Sequence, residues 1–133
     1  LSTGHCIAMG AFLMLACDYR VGVQGQFKIG LNETLIGMTM HDFGIELARY
    51  RIPLNYFNRS VINAELYAPS DAMEAGFYDT VIKIESMESN ISEITQNFKN
   101  LNMSAFVGTK IKSRRALLEL LDECIENDMR MAV

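Results

Sequence analysis

The chain has 133 residues, half of them apolar and 21% charged, enough to bury the core of one domain and too hydrophobic for a disordered polymer. Twelve basic against sixteen acidic residues leave a formal charge of −4, which argues against nucleic acid or a membrane surface as partner. The longest apolar run, Cys6 to Cys17, is 12 residues long, short of the ~20 that cross a bilayer, and no cationic segment precedes it as in a signal peptide.

Residues 1–31 hold five of the nine glycines, so tight backbone passages alternate with apolar clusters. After Gly10, the run Ala11 to Cys17 is apolar all round and free of β-branched residues, which predicts a short buried helix. Asp18 to Val23 alternates as a strand does, and Phe27-Lys28-Ile29 reads as another strand after the Gly25 turn. From residue 40 the period becomes helical. A cap at His41-Asp42 precedes Ile45, Leu47 and Ala48, and Pro53 opens a second helix with Leu54, Phe57, Val61 and Ile62 on one face. Pro69-Ser70-Asp71 opens a third helix, which Gly76 ends, and Tyr78 to Ile84 is the best strand of the second half. Two longer helices close the chain, one with the stripe Ile91, Ile94, Phe98 and Leu101, the other with Leu117, Leu121, Ile125 and Met129 at strict i+4 spacing.

Cys6, Cys17 and Cys124 are odd in number and lack metal spacing, so they read as reduced, mostly buried thiols of an intracellular protein. The nine methionines read mostly as core filler. His5, beside Gly4, reads as a hydrogen-bonded turn residue, and His41 has no partner at triad or metal spacing. Lys110, Lys112, Arg114 and Arg115 form a basic cluster, expected to be a solvated face with Arg115 and Glu119 as an i,i+4 pair. Leu1 is not Met, and an apolar segment starts within a few residues of it, as expected of a processed chain or a piece of something longer.

Two places point to chemistry. Glu33 lies beyond the Phe27–Ile29 strand among apolar neighbours, with Gly30 and Gly37 on either side. Held there, a desolvated carboxylate suits a general base near neutrality; the competing reading is an exposed loop acid that bonds a turn. Ala8-Met9-Gly10-Ala11 stands ahead of the buried helix, where unpaired backbone N–H groups hold an oxyanion or thioester oxygen, or else simply start a helix.

Gly4 to Val21, with Ala8-Met9-Gly10 and then Cys17-Asp18-Tyr19-Arg20, resembles the signature of the crotonase (enoyl-CoA hydratase/isomerase) family. Ile29-Gly30-Leu31-Asn32-Glu33 is similar to a segment of its enoyl-CoA delta isomerase branch. Ala72 to Ile82 resembles the family's helix–glycine–strand element, and all three stretches keep the family's order and spacing. The resemblance implies an α/β fold, the crotonase spiral of ββα units, of which this chain is the second half. Residues 1–84 would complete the core, and residues 85–133 would form a helical region that builds trimers or hexamers.

The resemblance also implies the chemistry. A thioester carbonyl is polarised by backbone N–H groups, here at Met9 beside Gly10, and Glu33 is the glutamate shared by hydratases and isomerases. The further hydratase glutamate aligns with Phe12, which transfers no proton, so one base shifts a double bond rather than two carboxylates adding water. Leu31 and Ile36 are then expected in the acyl pocket and Phe12 in that pocket or the core, with acyl-CoA as substrate, no metal, no other cofactor and a cytoplasmic setting. Two alternatives stay open: a truncated, non-catalytic relative that folds and oligomerises, and an enoyl-CoA hydratase.

Overall fold

Parallel strands need long crossovers, and two such pairings organise the chain from Cys6 to Ile82. The computed structural model describes residues 1–131. Strand β1 (Cys6–Ile7) pairs in parallel with β3 (Ile29–Gly30), and β2 (Val21–Val23) pairs in parallel with β4 (Thr80–Ile82). Helix α1 (Met9–Ala16) leaves the end of β1, and helices α2 (Asp42–Arg51), α3 (Leu54–Val61) and α4 (Pro69–Glu74) fill the connection from β3 to β4. Helices α5 (Met87–Lys99) and α6 (Met103–Met131) follow.

The main core gathers Phe12 and Leu15 of α1, Ile29 and Leu31 around β3, Ala48 of α2, Phe57 of α3 and Phe77 after α4. A second cluster, Val21, Val23 and Ile82, lies under Met87, Ile91 and Ile94 of α5. Gly44 makes one close approach possible, since a Cβ there would stand 2.7 Å from the Phe12 ring and force α2 off α1. The start of the β2–β4 ladder is pinned by a buried arginine. Arg20 gives Nε and Nη2 to Asp79 at 2.9 and 2.6 Å, its backbone N–H to the same carboxylate at 2.7 Å, and Nη1 to the carbonyl of Gly76.

The helices fall where expected, with α1 starting earlier, at Met9. Strands are shorter than the sequence suggests. Of the stretches 18–23 and 78–84, Val21–Val23 and Thr80–Ile82 form the ladder, because Asp18 and Tyr19 turn outward and Ile84–Ser86 coils into a 3₁₀ turn. Pairing at Ile29–Gly30 leaves Phe27 outside the strand, edge-on to His5. Phe57 and Val61 of the α3 face are buried as expected, whereas Leu54 and Ile62 point to solvent.

Other side chains also differ from expectation. Cys17 is exposed because α1 ends just before it, while Cys6 and Cys124 are buried. Of the methionines only Met14 and Met40 are buried. The basic cluster is not merely solvated: Lys110 and Arg114 grip Asp18 at 2.5 and 2.9 Å, while Arg115 has no ion pair among the described residues. His5 behaves as read, its Nδ1 accepting the Lys28 N–H at 3.0 Å.

Candidate active site

The turn between β1 and α1 is built for unpaired donors. Ala8 has φ +53° and ψ −122°, a conformation that L residues rarely adopt and that marks stored local strain. That twist sends its carbonyl to the N–H groups of Ala11 and Phe12, at 2.9 and 3.1 Å, while its own N–H goes to Gly30 at 3.0 Å. The N–H groups of Met9 and Gly10 stand at the helix start, where no preceding turn can accept them. Beneath them lies Cys6, whose Sγ would be 4.0 Å from a Cβ on Gly10. Burial pushes the Cys6 thiol above its ordinary range, so it packs as a neutral group.

The Ala8–Gly30 bond ties this turn to the strand that delivers Glu33. Gly30 has φ +148°, and a Cβ there would stand 2.9 Å from the carbonyl of Glu65, so the chain leaves β3 through a passage only glycine fits. Leu31, with no exposed surface, anchors the next step in the core. Glu33 then begins the 3₁₀ turn Thr34–Ile36, with its carbonyl accepting the N–H groups of Ile36 and Met38 at 3.1 and 2.9 Å.

The Glu33 side chain is only 5% exposed, and its Oε2 is buried without a hydrogen-bond partner. Asn32 repeats the pattern, with a buried and unpartnered Oδ1. Buried acceptors are normally satisfied, and orphans of this kind mark strain or a missing ligand or proton. The exposed loop acid is therefore the reading that fails. Sequence reasoning passed over Asn32, because nothing in its spacing says that its carboxamide turns inward.

The expected acyl residues separate. Phe12 lies in the core against the Phe43 ring at 5.4 Å, and Leu31 is also core, whereas Ile36 is 58% exposed. A cavity of about 360 Å³ follows the Glu33 turn, but its walls are Thr34, Met38, Met40, Ile45, Val61 and Ile62. Met9 is exposed, so its bulk points away from the core. A larger cavity, about 560 Å³, lies elsewhere, between Tyr19 and the aromatic pair Phe98 and Phe106. It touches neither Glu33 nor the Ala8 turn, and size alone does not make it the reactive site.

Comparison with known proteins bears on the family and the fold. The family model for enoyl-CoA hydratase/isomerase matches residues 2–133. Mouse mitochondrial enoyl-CoA delta isomerase 1 is 26% identical over 94% of this chain and 47% of its own length. An enoyl-CoA hydratase/isomerase family protein from Pseudomonas syringae superposes with a TM-score of 0.93 at 52% identity, over 96% of this chain and 55% of that one. An enoyl-CoA hydratase from Mycobacterium ulcerans superposes with a TM-score of 0.87 at 31% identity, over 96% and 55%. The chain thus spans about half the length of the relatives it matches. The crotonase fold that it shares with them, and the family model covering it almost end to end, place this chain in the enoyl-CoA hydratase/isomerase family.

Proposed function

We propose that this chain supplies the base and one side of the oxyanion turn for an isomerase-type double-bond shift in an enoyl-CoA. The observation that carries the reading is the buried, unpartnered Oε2 of Glu33, set three residues beyond the Gly30 carbonyl that holds the Ala8 turn. A thioester oxygen accepts the Met9 N–H, with Gly10 beside it, and becomes more negative as the C2 proton leaves. Glu33 takes that proton and returns it at C4, so the carboxylate is regenerated and no second acid is needed. Phe12 stands in the core, where it neither donates nor accepts a proton.

The substrate is an acyl-CoA thioester, and the reaction needs no metal or further cofactor. The free thiols suit a reducing compartment such as the cytoplasm, and among the described residues no helix is long and apolar enough to cross a membrane. Assembly into a trimer or a multiple of it fits the apolar side chains left exposed on α6, among them Ile111, Leu118, Ile125 and Met129. Light scattering at micromolar concentration tests the assembly, and a clean 15 kDa species would contradict it.

Replacing Glu33 by Gln keeps its size and most of its hydrogen bonding while removing the base. Isomerisation of a 3-enoyl-CoA by the native protein should fall by at least ~10², the lower scale for general-base catalysis. Near-normal turnover in this variant would end the assignment. Hydration is the second reading, favoured by the likeness to the Mycobacterium ulcerans hydratase. In that case Glu33→Gln should abolish addition of water to a 2-enoyl-CoA.

A further inference from the structure

Helix α2 starts directly after the Glu33 turn, and its own N-cap residue, His41, makes no side-chain cap bond. The first N–H groups of a helix need acceptors, and these are met from a distant part of the chain. Asp128, near the end of α6, takes the Asp42 N–H on Oδ1 at 2.9 Å and the Phe43 N–H on Oδ2 at 3.0 Å. One helical turn earlier, Cys124 is the buried side chain of α6, and Leu121 packs on the main core. The far end of α6 is therefore docked on the first turn of α2 by an apolar plug and a bidentate carboxylate. A carboxylate also complements the positive end of the α2 dipole.

What α2 holds at that end is the candidate site. Phe43 packs on Phe12, and Phe12 hangs from the strained Ala8 turn through its N–H. Gly44 lets α2 press closely on the same ring. On the other side, residues 38–41 join the Glu33 turn to α2, and the Met38 N–H is bonded to the Glu33 carbonyl at 2.9 Å. We infer that Asp128 is a positioning residue: by capping α2 from α6 it fixes the first turn of α2, and with it the spacing between the Glu33 turn and the Ala8-Met9-Gly10 turn. The inference rests on reading Glu33 as the base, and its structural part can be tested apart from that reading.

The test compares the whole native chain with Asp128→Ala, Asp128→Asn and Glu126→Ala. Glu126 is exposed and lies on the same stretch of α6. Amide hydrogen exchange is read segment by segment, together with kcat and KM for 3-enoyl-CoA isomerisation. Asp128→Ala should speed exchange about five-fold across residues 38–44, the scale of a lost cap. It should also lower kcat several-fold with KM little changed. Asn keeps one carboxamide oxygen and should rescue part of both effects, and Glu126→Ala should alter neither. Unchanged exchange at 38–44 would overturn the latch, as would an equal loss of protection at Val21–Val23 and Thr80–Ile82, which signals a general loss of stability. Faster exchange with unaltered kcat would overturn the positioning role. A wild-type protein without isomerisation would instead remove the reading of Glu33, while the exchange data still decide whether Asp128 holds α2.

Discussion

The chain from Cys6 to Ile82 and the helices that follow it use apolar residues in opposite ways. The first region closes on itself, burying Phe77, Leu15, Ile29 and Leu31 almost completely. The helices from Met87 onward also carry many apolar residues, yet among the described residues only Cys124 is buried there. Burial on one side and exposure on the other separate two tasks. The strand region fixes geometry at Glu33 and Met9, and the helices pack on it, α6 most extensively along α2, and offer the remaining apolar surface outward. Polar links follow the same division: Arg20–Asp79 lies inside the strand region and is largely buried, whereas Asp18 with Lys110 and Arg114 joins the two regions and is partly solvated.

The widest contrast is expected in packing. Phe77→Ala removes a fully buried ring and should cost about 3–5 kcal/mol of unfolding free energy. Phe98→Ala on α5, where the ring is half-buried against Tyr19 and Phe106, should cost well under half of that. Equal losses in urea unfolding would break the division between the regions.

Acid should act first through the buried pair. Burial alone would raise the Asp79 carboxyl, but the hydrogen bonds and charge of Arg20 outweigh it and hold Asp79 below the usual carboxylate range. A group lowered on folding stabilises the fold above its unfolded value, and that contribution is lost as pH falls through the folded value. Stability should therefore decline as pH drops below about 4, with a steeper slope than in Asp79→Asn. Identical slopes for the two proteins would remove Arg20–Asp79 from the account.

The smallest effect is expected at the link between regions. Lys110 keeps Asp18 below its ordinary range, chiefly through their hydrogen bond, but both groups are about one-third exposed. Lys110→Ala should cost less than about 1 kcal/mol, and added salt should erase the difference. A larger, salt-resistant loss would mean that α6 is held more firmly than its exposure suggests.

Much of this organisation was legible in the sequence, for identifiable reasons. Pro53 and Pro69 announce helix starts through fixed geometry, and the helix formers after Gly10 announce α1. The i+4 stripe on α6 misled in an instructive way. Each step of four residues turns about 40° around a helix of 3.6 residues per turn, so Leu121 can pack on the core while Met129 has rotated into solvent. Glu33 stood out through its apolar neighbours and flanking glycines, and then through the resemblance, but its burial depends on Gly30 and on contacts across the fold. Two features had no local signal. The twist at Ala8 is imposed by Gly30 and α1 together, and Asp128 meets α2 across more than 80 residues of chain.

The claim that most needs a direct answer is that one carboxylate does the proton work. It is measured by the ratio of two rates in the same native protein: isomerisation of a 3-enoyl-CoA and hydration of the matching 2-enoyl-CoA. On the proposed reading, with Phe12 in the core and Glu33 as the base, isomerisation should proceed and hydration should be negligible beside it. Hydration as fast as isomerisation would contradict the account, because water would then be activated by a second group that the one-base mechanism does not contain.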